Sequence, residues 1–325
     1  MKKVHAHVLD MTGKTPVVRV AVPSCPRVHL QAHLEFCNPT GSVKDRAAEF
    51  IIERLLSTGR LWPGSRLVES SSGNFGIALA ARAHQRGLRF LCVIDPRINP
   101  ANEAILRSSH AELIKVTEPD GAGGFLKTRL AKVHEIIAQD PETYWVNQYA
   151  NPLNAEAYYT TLAEEICAAA PRLDYVFLGV SSGGTIAGVS RRVKELHPKA
   201  QIVAVDSKGS VIFGDAPRPR FIPGIGSSIR PEILDTAIID KVIHVDEVTT
   251  VKTCRELYSD FGIFAGGSSG SVLAAVKRHF TLNVPNDEVV VATIFADRGE
   301  RYLDTIYNPS WYANFIASSQ LPPAI

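Results

Sequence analysis

The chain has 325 residues, 45% hydrophobic and 21% charged, with 35 Lys and Arg against 33 Asp and Glu. That balance (net +2) fits an ordinary folded protein and leaves no excess charge for nucleic acid or an acidic surface. No apolar run is long enough to span a bilayer, and the length suffices for two domains.

Along the chain, Lys2 and Lys3 precede no apolar core, so a secretory leader is not expected. The five cysteines, Cys25, Cys37, Cys92, Cys167 and Cys254, are odd in number, widely spaced and form no C-x-x-C pair. This argues against a disulfide framework or a zinc site and for a reducing, cytoplasmic setting. The first informative segment is Asn38-Pro39-Thr40-Gly41-Ser42-Val43-Lys44-Asp45-Arg46. After it, Ala47, Ala48, Ile51, Ile52, Leu55 and Leu56 recur at helical spacing. Lys44 therefore stands at a helix N-terminus, where the macrodipole disfavours a further positive charge. Such a lysine suits an amine kept neutral or covalently tied. The alternative is a solvated surface lysine.

Residues 66–69 read as a strand leading through Ser70-Ser71-Ser72-Gly73-Asn74 into a helix over 77–83. Short apolar strands follow at 90–94, 113–116, 175–178, 202–205 and 289–295. Strand, Gly/Ser loop and helix in series predict an α/β fold with mainly parallel sheets covered on both faces. A polar stretch over 148–154 separates two such blocks. The loop Gly179-Val180-Ser181-Ser182-Gly183-Gly184-Thr185 again opens a helix, predicted over 186–196. Its amides and hydroxyls suit a single phosphate, or form a plain strand-to-helix turn. It is not G-x-G-x-x-G, so a dinucleotide site is not supported. Ser71, Ser72 and Asn74 offer donors for a carboxylate or a phenolic oxygen, or simply cap a helix. Gly266-Gly267-Ser268-Ser269-Gly270 is a fourth candidate segment, or a plain Gly/Ser turn.

Taken together, these segments resemble the cysteine synthase family of fold-type II pyridoxal-phosphate enzymes. The resemblance runs from Thr12-Gly13-Lys14-Thr15-Pro16 through the Lys44 segment and Ser72-Gly73-Asn74-Phe75-Gly76. It continues through Gln148-Tyr149-Ala150-Asn151-Pro152, residues 181–185, Gly224-Ile225-Gly226, Ser268-Ser269-Gly270 and Gly299-Glu300-Arg301-Tyr302. It implies two domains with pyridoxal 5'-phosphate in the cleft between them: a larger one from residues 1–40 and 149–325, and a smaller, mobile one from 41–148. It implies that Lys44 carries the cofactor and moves protons and that Asn74 contacts its phenolic oxygen. Ser181, Ser182, Gly183, Gly184 and Thr185 would hold its phosphate, and Ser268 would face its ring nitrogen. Ser71, Ser72 and Gln148 would hold the substrate carboxylate. The implied reaction is β-replacement through a bound aminoacrylate.

Three features depart from ordinary members: Tyr149, Arg129 and the run Asp95-Pro96-Arg97-Ile98-Asn99-Pro100-Ala101-Asn102. With them the chain is similar to the branch that makes N-(2-amino-2-carboxyethyl)-L-glutamate from O-phospho-L-serine and L-glutamate, a precursor of 2,3-diaminopropionate in siderophore biosynthesis. Tyr149, Arg129 and Arg230 would suit a substrate rich in negative charge. Each arginine equally suits a structural ion pair. The resemblance also implies a homodimer and a pathway dehydrogenase acting on the product. Cysteine synthesis from O-acetylserine or O-phosphoserine with sulfide is the nearest alternative, and a non-catalytic scaffold or sensor the remote one.

Overall fold

Ten strands and ten α-helices alternate through the computed structural model, which describes residues 4–120 and 124–319. The first half holds β1 (Val17–Val20), β2 (Val28–Leu34), α1 (Lys44–Ser57), β3 (Arg66–Ser70), α2 (Asn74–Gln85), β4 (Arg89–Ile94), α3 (Pro100–Ser108), β5 (Glu112–Lys115), α4 (Leu126–Gln139) and β6 (Tyr144–Trp145). The second holds α5 (Pro152–Thr160), α6 (Leu162–Ala169), β7 (Tyr175–Gly179), α7 (Gly184–Leu196), β8 (Gln201–Ser207), β9 (Lys241–Val245), α8 (Glu247–Phe261), α9 (Gly267–Leu282), β10 (Val289–Phe295) and α10 (Pro309–Ser319).

The strands form a six-stranded sheet, β1-β2-β10-β7-β8-β9, and a four-stranded sheet, β5-β4-β3-β6. Every pairing is parallel except β1 with β2. The expected α/β fold with mainly parallel sheets is therefore the one adopted. Its strands bury residues on both faces, as Val176, Phe177 and Leu178 of β7 do. The N-terminal strands β1 and β2 join the later six-stranded sheet, and the intervening chain builds the smaller one. Strands β1, β6 and β9 carry little local signal. β6 has two residues, and β9 mixes Lys241 and His244 with three apolar residues.

The apolar stripe of α1 buries Ala47, Ala48, Ile51, Ile52 and Leu55 against α2 and α5. One core cluster runs from this stripe through Leu67 and Leu79 to Val176, Ile186 and Val193, so the two sheets share it. Helices α5 and α7 approach so closely that a Cβ on Gly188 would lie 2.1 Å from the Ala155 carbonyl.

One of the alternatives left open by the sequence fails. Residues 266–270 are the start of α9, not a free turn. Their small side chains let the helix enter the core: a Cβ on Gly267 would meet Ile222 at 2.1 Å, and one on Gly270 would meet Cys254 Sγ at 2.4 Å. Among the described residues no helix is long and apolar enough to cross a membrane.

Candidate active site

A narrow cleft opens at the carboxyl ends of β7 and β10, where parallel α/β sheets place their ligands. Lys44, Ser181, Ser182, Gly183, Thr185, Gly224 and Ser268 all line it. The turn before α1 reaches the cleft because it is pinned to the end of β10. The Val43 amide donates to the Ala296 carbonyl at 2.8 Å, and Ser42 bridges Asp297. The Asp45 carboxylate closes the same turn by accepting from the Thr40 amide (3.0 Å) and hydroxyl (2.8 Å).

Lys44 occupies the first turn of α1. Burial of its amine lowers its pKa to about 8, against the opposing charge of Asp297. At pH 7 an amine of that pKa is about one-tenth neutral, whereas an ordinary lysine is neutral in roughly one molecule in three thousand. We therefore expect the loading of apoprotein with a carbonyl cofactor, followed by visible absorbance, to accelerate about tenfold per pH unit up to pH 8 and level off above it. A rate still climbing at that slope from pH 9 to 10 would refute the lowered value.

The loop after β7 turns through Gly183, whose φ of +85° lies in the region that favours glycine, and enters α7. The first amides of α7 have no intrahelical partner, and the positive helix end adds to their attraction for an anion. Ser182, Gly183, Thr185 and Ile186 border the cleft there. Ser181 Oγ donates to the Gly226 carbonyl (3.1 Å), tying this loop to the Gly224-Ile225-Gly226 turn. Gly184 serves packing instead: a Cβ there would lie 2.5 Å from the Asn154 side chain. Ser268 enters from the first turn of α9.

Asn74 lies outside the lining residues. Its Nδ2 donates to Asp297 Oδ2 at 2.7 Å, and the Tyr302 hydroxyl donates to the same oxygen at 2.7 Å. Asp297 is 2% exposed, and burial raises its carboxyl above the usual range. No local pattern marks Asp297 in the sequence.

The remaining candidates gather beside the loop after β3. Ser71 Oγ accepts from the Gly76 amide (2.9 Å), capping α2 and leaving its own hydrogen free. Ser72 Oγ donates to Asp95 (2.9 Å) and accepts from Arg129 Nη1 (3.0 Å). Arg129 Nε lies 3.3 Å from Asp95 Oδ2, is sealed from solvent and makes no hydrogen bond among the described residues. Gln148 donates from its side chain to the Ser70 carbonyl (3.2 Å) and from its amide to Glu69 (3.1 Å). Glu69 is fully buried, which pushes its carboxyl up to about 7. Burial also pushes the Tyr149 hydroxyl to about 12, with Arg129 opposing. Arg230 stands apart, half-exposed and paired with Asp235 at 2.6 Å.

A buried amine, a helix start open to an anion and a serine on one cleft at the carboxyl ends of parallel strands define a fold-type II pyridoxal-phosphate enzyme. The residues fit that cofactor. The Lys44 amine and the Ser182 and Ser268 hydroxyls border the cleft and take no hydrogen bond from other described residues, so they remain open to a ligand. A family profile described as "pyridoxal-phosphate dependent enzyme" matches residues 8–295, and the chain belongs to that family. It is similar to the O-acetylserine-dependent cystathionine beta-synthase from Helicobacter pylori, with 31% identity over 94% of this chain and 99% of that one and a TM-score of 0.87. It is likewise similar to O-ureido-L-serine synthase, with 31% identity, 94% and 96% coverage and a TM-score of 0.86. A lysine-to-alanine variant of O-ureido-L-serine synthase, bound to O-ureido-L-serine, matches with 30% identity, 98% and 100% coverage and a TM-score of 0.87.

Proposed function

We propose that the enzyme joins L-glutamate to the β-carbon of O-phospho-L-serine, releasing phosphate and N-(2-amino-2-carboxyethyl)-L-glutamate. The C–O bond to phosphate breaks, the C–N bond to the glutamate amine forms, and that amine gives up one proton. Bound pyridoxal phosphate supplies the electron-accepting ring that lets Cα lose its proton and the β-substituent leave. Lys44 holds the cofactor and, once freed, moves the Cα proton. Asn74 binds its phenolic oxygen, and residues 181–185 its phosphate. Ser268 faces the ring nitrogen. A serine there does not hold a proton on the ring, so it favours prompt departure of a leaving group over a long-lived carbanion. The free Ser71 hydrogen and the second Gln148 amide hydrogen hold the substrate carboxylate, with Ser72 and Tyr149 beside them.

The observation that carries this reading is Arg129. Its guanidinium donates to Ser72 through Nη1 and pairs with Asp95 through the buried Nε, while Nη2 makes no hydrogen bond among the described residues, which supports a substrate with a second anionic group. Arg230 joins the site in this reading only by leaving Asp235. The proposal extends to a homodimer and to a pathway dehydrogenase that acts on the product toward siderophore assembly. The similarity to an O-acetylserine-dependent enzyme favours, as a second reading, O-acetylserine as donor with a sulfur nucleophile. A scaffold role is opposed by the open polar atoms of the cleft.

Mass spectrometry of products from O-phospho-L-serine with L-glutamate, other amino acids and sulfide separates these readings. The glutamate adduct with stoichiometric phosphate is expected. Cysteine from O-acetylserine and sulfide, with no phosphate released in the glutamate reaction, would overturn the proposal. We further expect Arg129→Gln to raise KM for O-phospho-L-serine about tenfold to a hundredfold, as for loss of a charge-assisted hydrogen bond. KM for O-acetyl-L-serine should change far less. Equal changes for both donors would remove Arg129 from anion recognition.

A further inference from the structure

We propose that Asp297 is a positioning residue that fixes the orientation of Asn74 and sets the charge around Lys44. This rests on the reading of Lys44 and Asn74 as cofactor-binding residues. A carboxylate only accepts hydrogen bonds, so Asp297 obliges Asn74 to present its NH2 end on this side. One Nδ2 hydrogen is thereby committed, and the other stays available as a donor to a ligand oxygen. If Asn74 turned over, it would offer an acceptor where a phenolic oxygen requires a donor.

Asp297 is itself fixed on several sides. Tyr302 donates to the same oxygen, and the Asp297 carbonyl accepts from the Gly266 amide at 3.0 Å. A Cβ on Gly266 would lie 2.1 Å from Asp297 Oδ1, so only glycine leaves room for the carboxylate. The residue thus sits between the Lys44 turn and the helix start that carries Ser268. Its Oδ1 is sealed from solvent and takes no hydrogen bond among the described residues. The titratable groups facing it are Lys44, Arg301, Tyr302, Cys254 and Tyr307. Of these, Lys44 and Arg301 are the cations whose charge it balances.

The test uses full-length protein loaded with pyridoxal phosphate. It compares wild type, Asn74→Ala, Asp297→Ala, the double variant and Asp297→Asn. Cofactor dissociation and the pH midpoint of the lysine-linked visible band are measured. Asp297→Ala and Asn74→Ala should each weaken cofactor retention about tenfold, and the double variant should be no worse than either alone. Asp297→Asn keeps an oxygen acceptor but removes the negative charge that favours a protonated nitrogen. Its pH midpoint should therefore move down by about one unit, with retention largely kept. Losses that multiply in the double variant would overturn the proposal, as would an unmoved midpoint in Asp297→Asn, the variant that remains decisive if Asp297→Ala does not fold. If wild type shows no visible band, the cofactor reading falls and takes this proposal with it. Failure of the proposal alone is recognised by a normal wild-type band.

Discussion

Lys44→Ala should abolish the lysine-linked visible band of the loaded protein and reduce β-replacement about a thousandfold or more, while the circular dichroism spectrum stays unchanged. The fold should tolerate the change. The Lys44 side chain makes no hydrogen bond or ion pair among the described residues, and alanine is a strong helix former. The substitution also removes a positive charge from a helix N-terminus, which spares a small electrostatic cost. Chemical loss with structural neutrality is the mark of a residue retained for reactivity. Absorption spectra and initial rates on the same preparation check both halves. A persisting band would mean that another lysine bonds the cofactor. A vanished band with near-normal turnover would exclude Lys44 from proton transfer.

What could be read from the sequence follows from how local each signal is. The strands at 66–69, 90–94, 175–178, 202–205 and 289–295 appear as compact apolar runs because both of their faces are covered, and each proves to be a sheet strand. Lys44, residues 181–185 and Ser268 stand in short Gly/Ser segments next to helix starts, where conformation depends on a few neighbours. Asp297 is different. Its partner Asn74 lies 223 residues away, and only the pairing of β2 with β10 and the anchoring of the Lys44 turn bring the two together. Glu69 and Asp95 are equally silent. Each is an isolated acid near the end of a strand, and its significance comes from Gln148 or Arg129 arriving from another element. The Gly/Ser run at 266–270 is ambiguous for the converse reason. Small residues usually mark a turn, but here close packing against Ile222 and Cys254 demands them inside a helix.

The largest stability effect should come from Glu35, which does not line the cleft. Arg46, on α1 just beyond Lys44, is almost fully buried, with its side chain 1% exposed. Glu35, 0% exposed, receives it through both oxygens, from Nε at 2.7 Å and from Nη2 at 2.8 Å. Glu165 of α6, 24% exposed, receives Nη1 at 2.7 Å and Nη2 at 2.8 Å. Thr15 and Asn38 complete the shell around Glu35 at 2.6 and 2.9 Å. The cluster thereby clamps the N-terminal segment and α6 onto the first turns of α1, the helix that delivers Lys44. Burying such a group is tolerable only while every charge is matched. Glu35→Ala leaves a guanidinium in the interior with one partly solvated carboxylate, at a cost of about 3–5 kcal/mol. Glu165→Ala should cost about 1–2 kcal/mol, because water reaches that side. Thermal unfolding with cofactor held constant should show Glu35→Ala melting about 5–10 °C below wild type and Glu165→Ala only a few degrees below. Equal losses would show that the buried arm of the pair is worth no more than the exposed one. If Glu35→Ala also slowed cofactor loading while Glu165→Ala did not, the clamp on α1 would be placing Lys44 as well as holding the fold together.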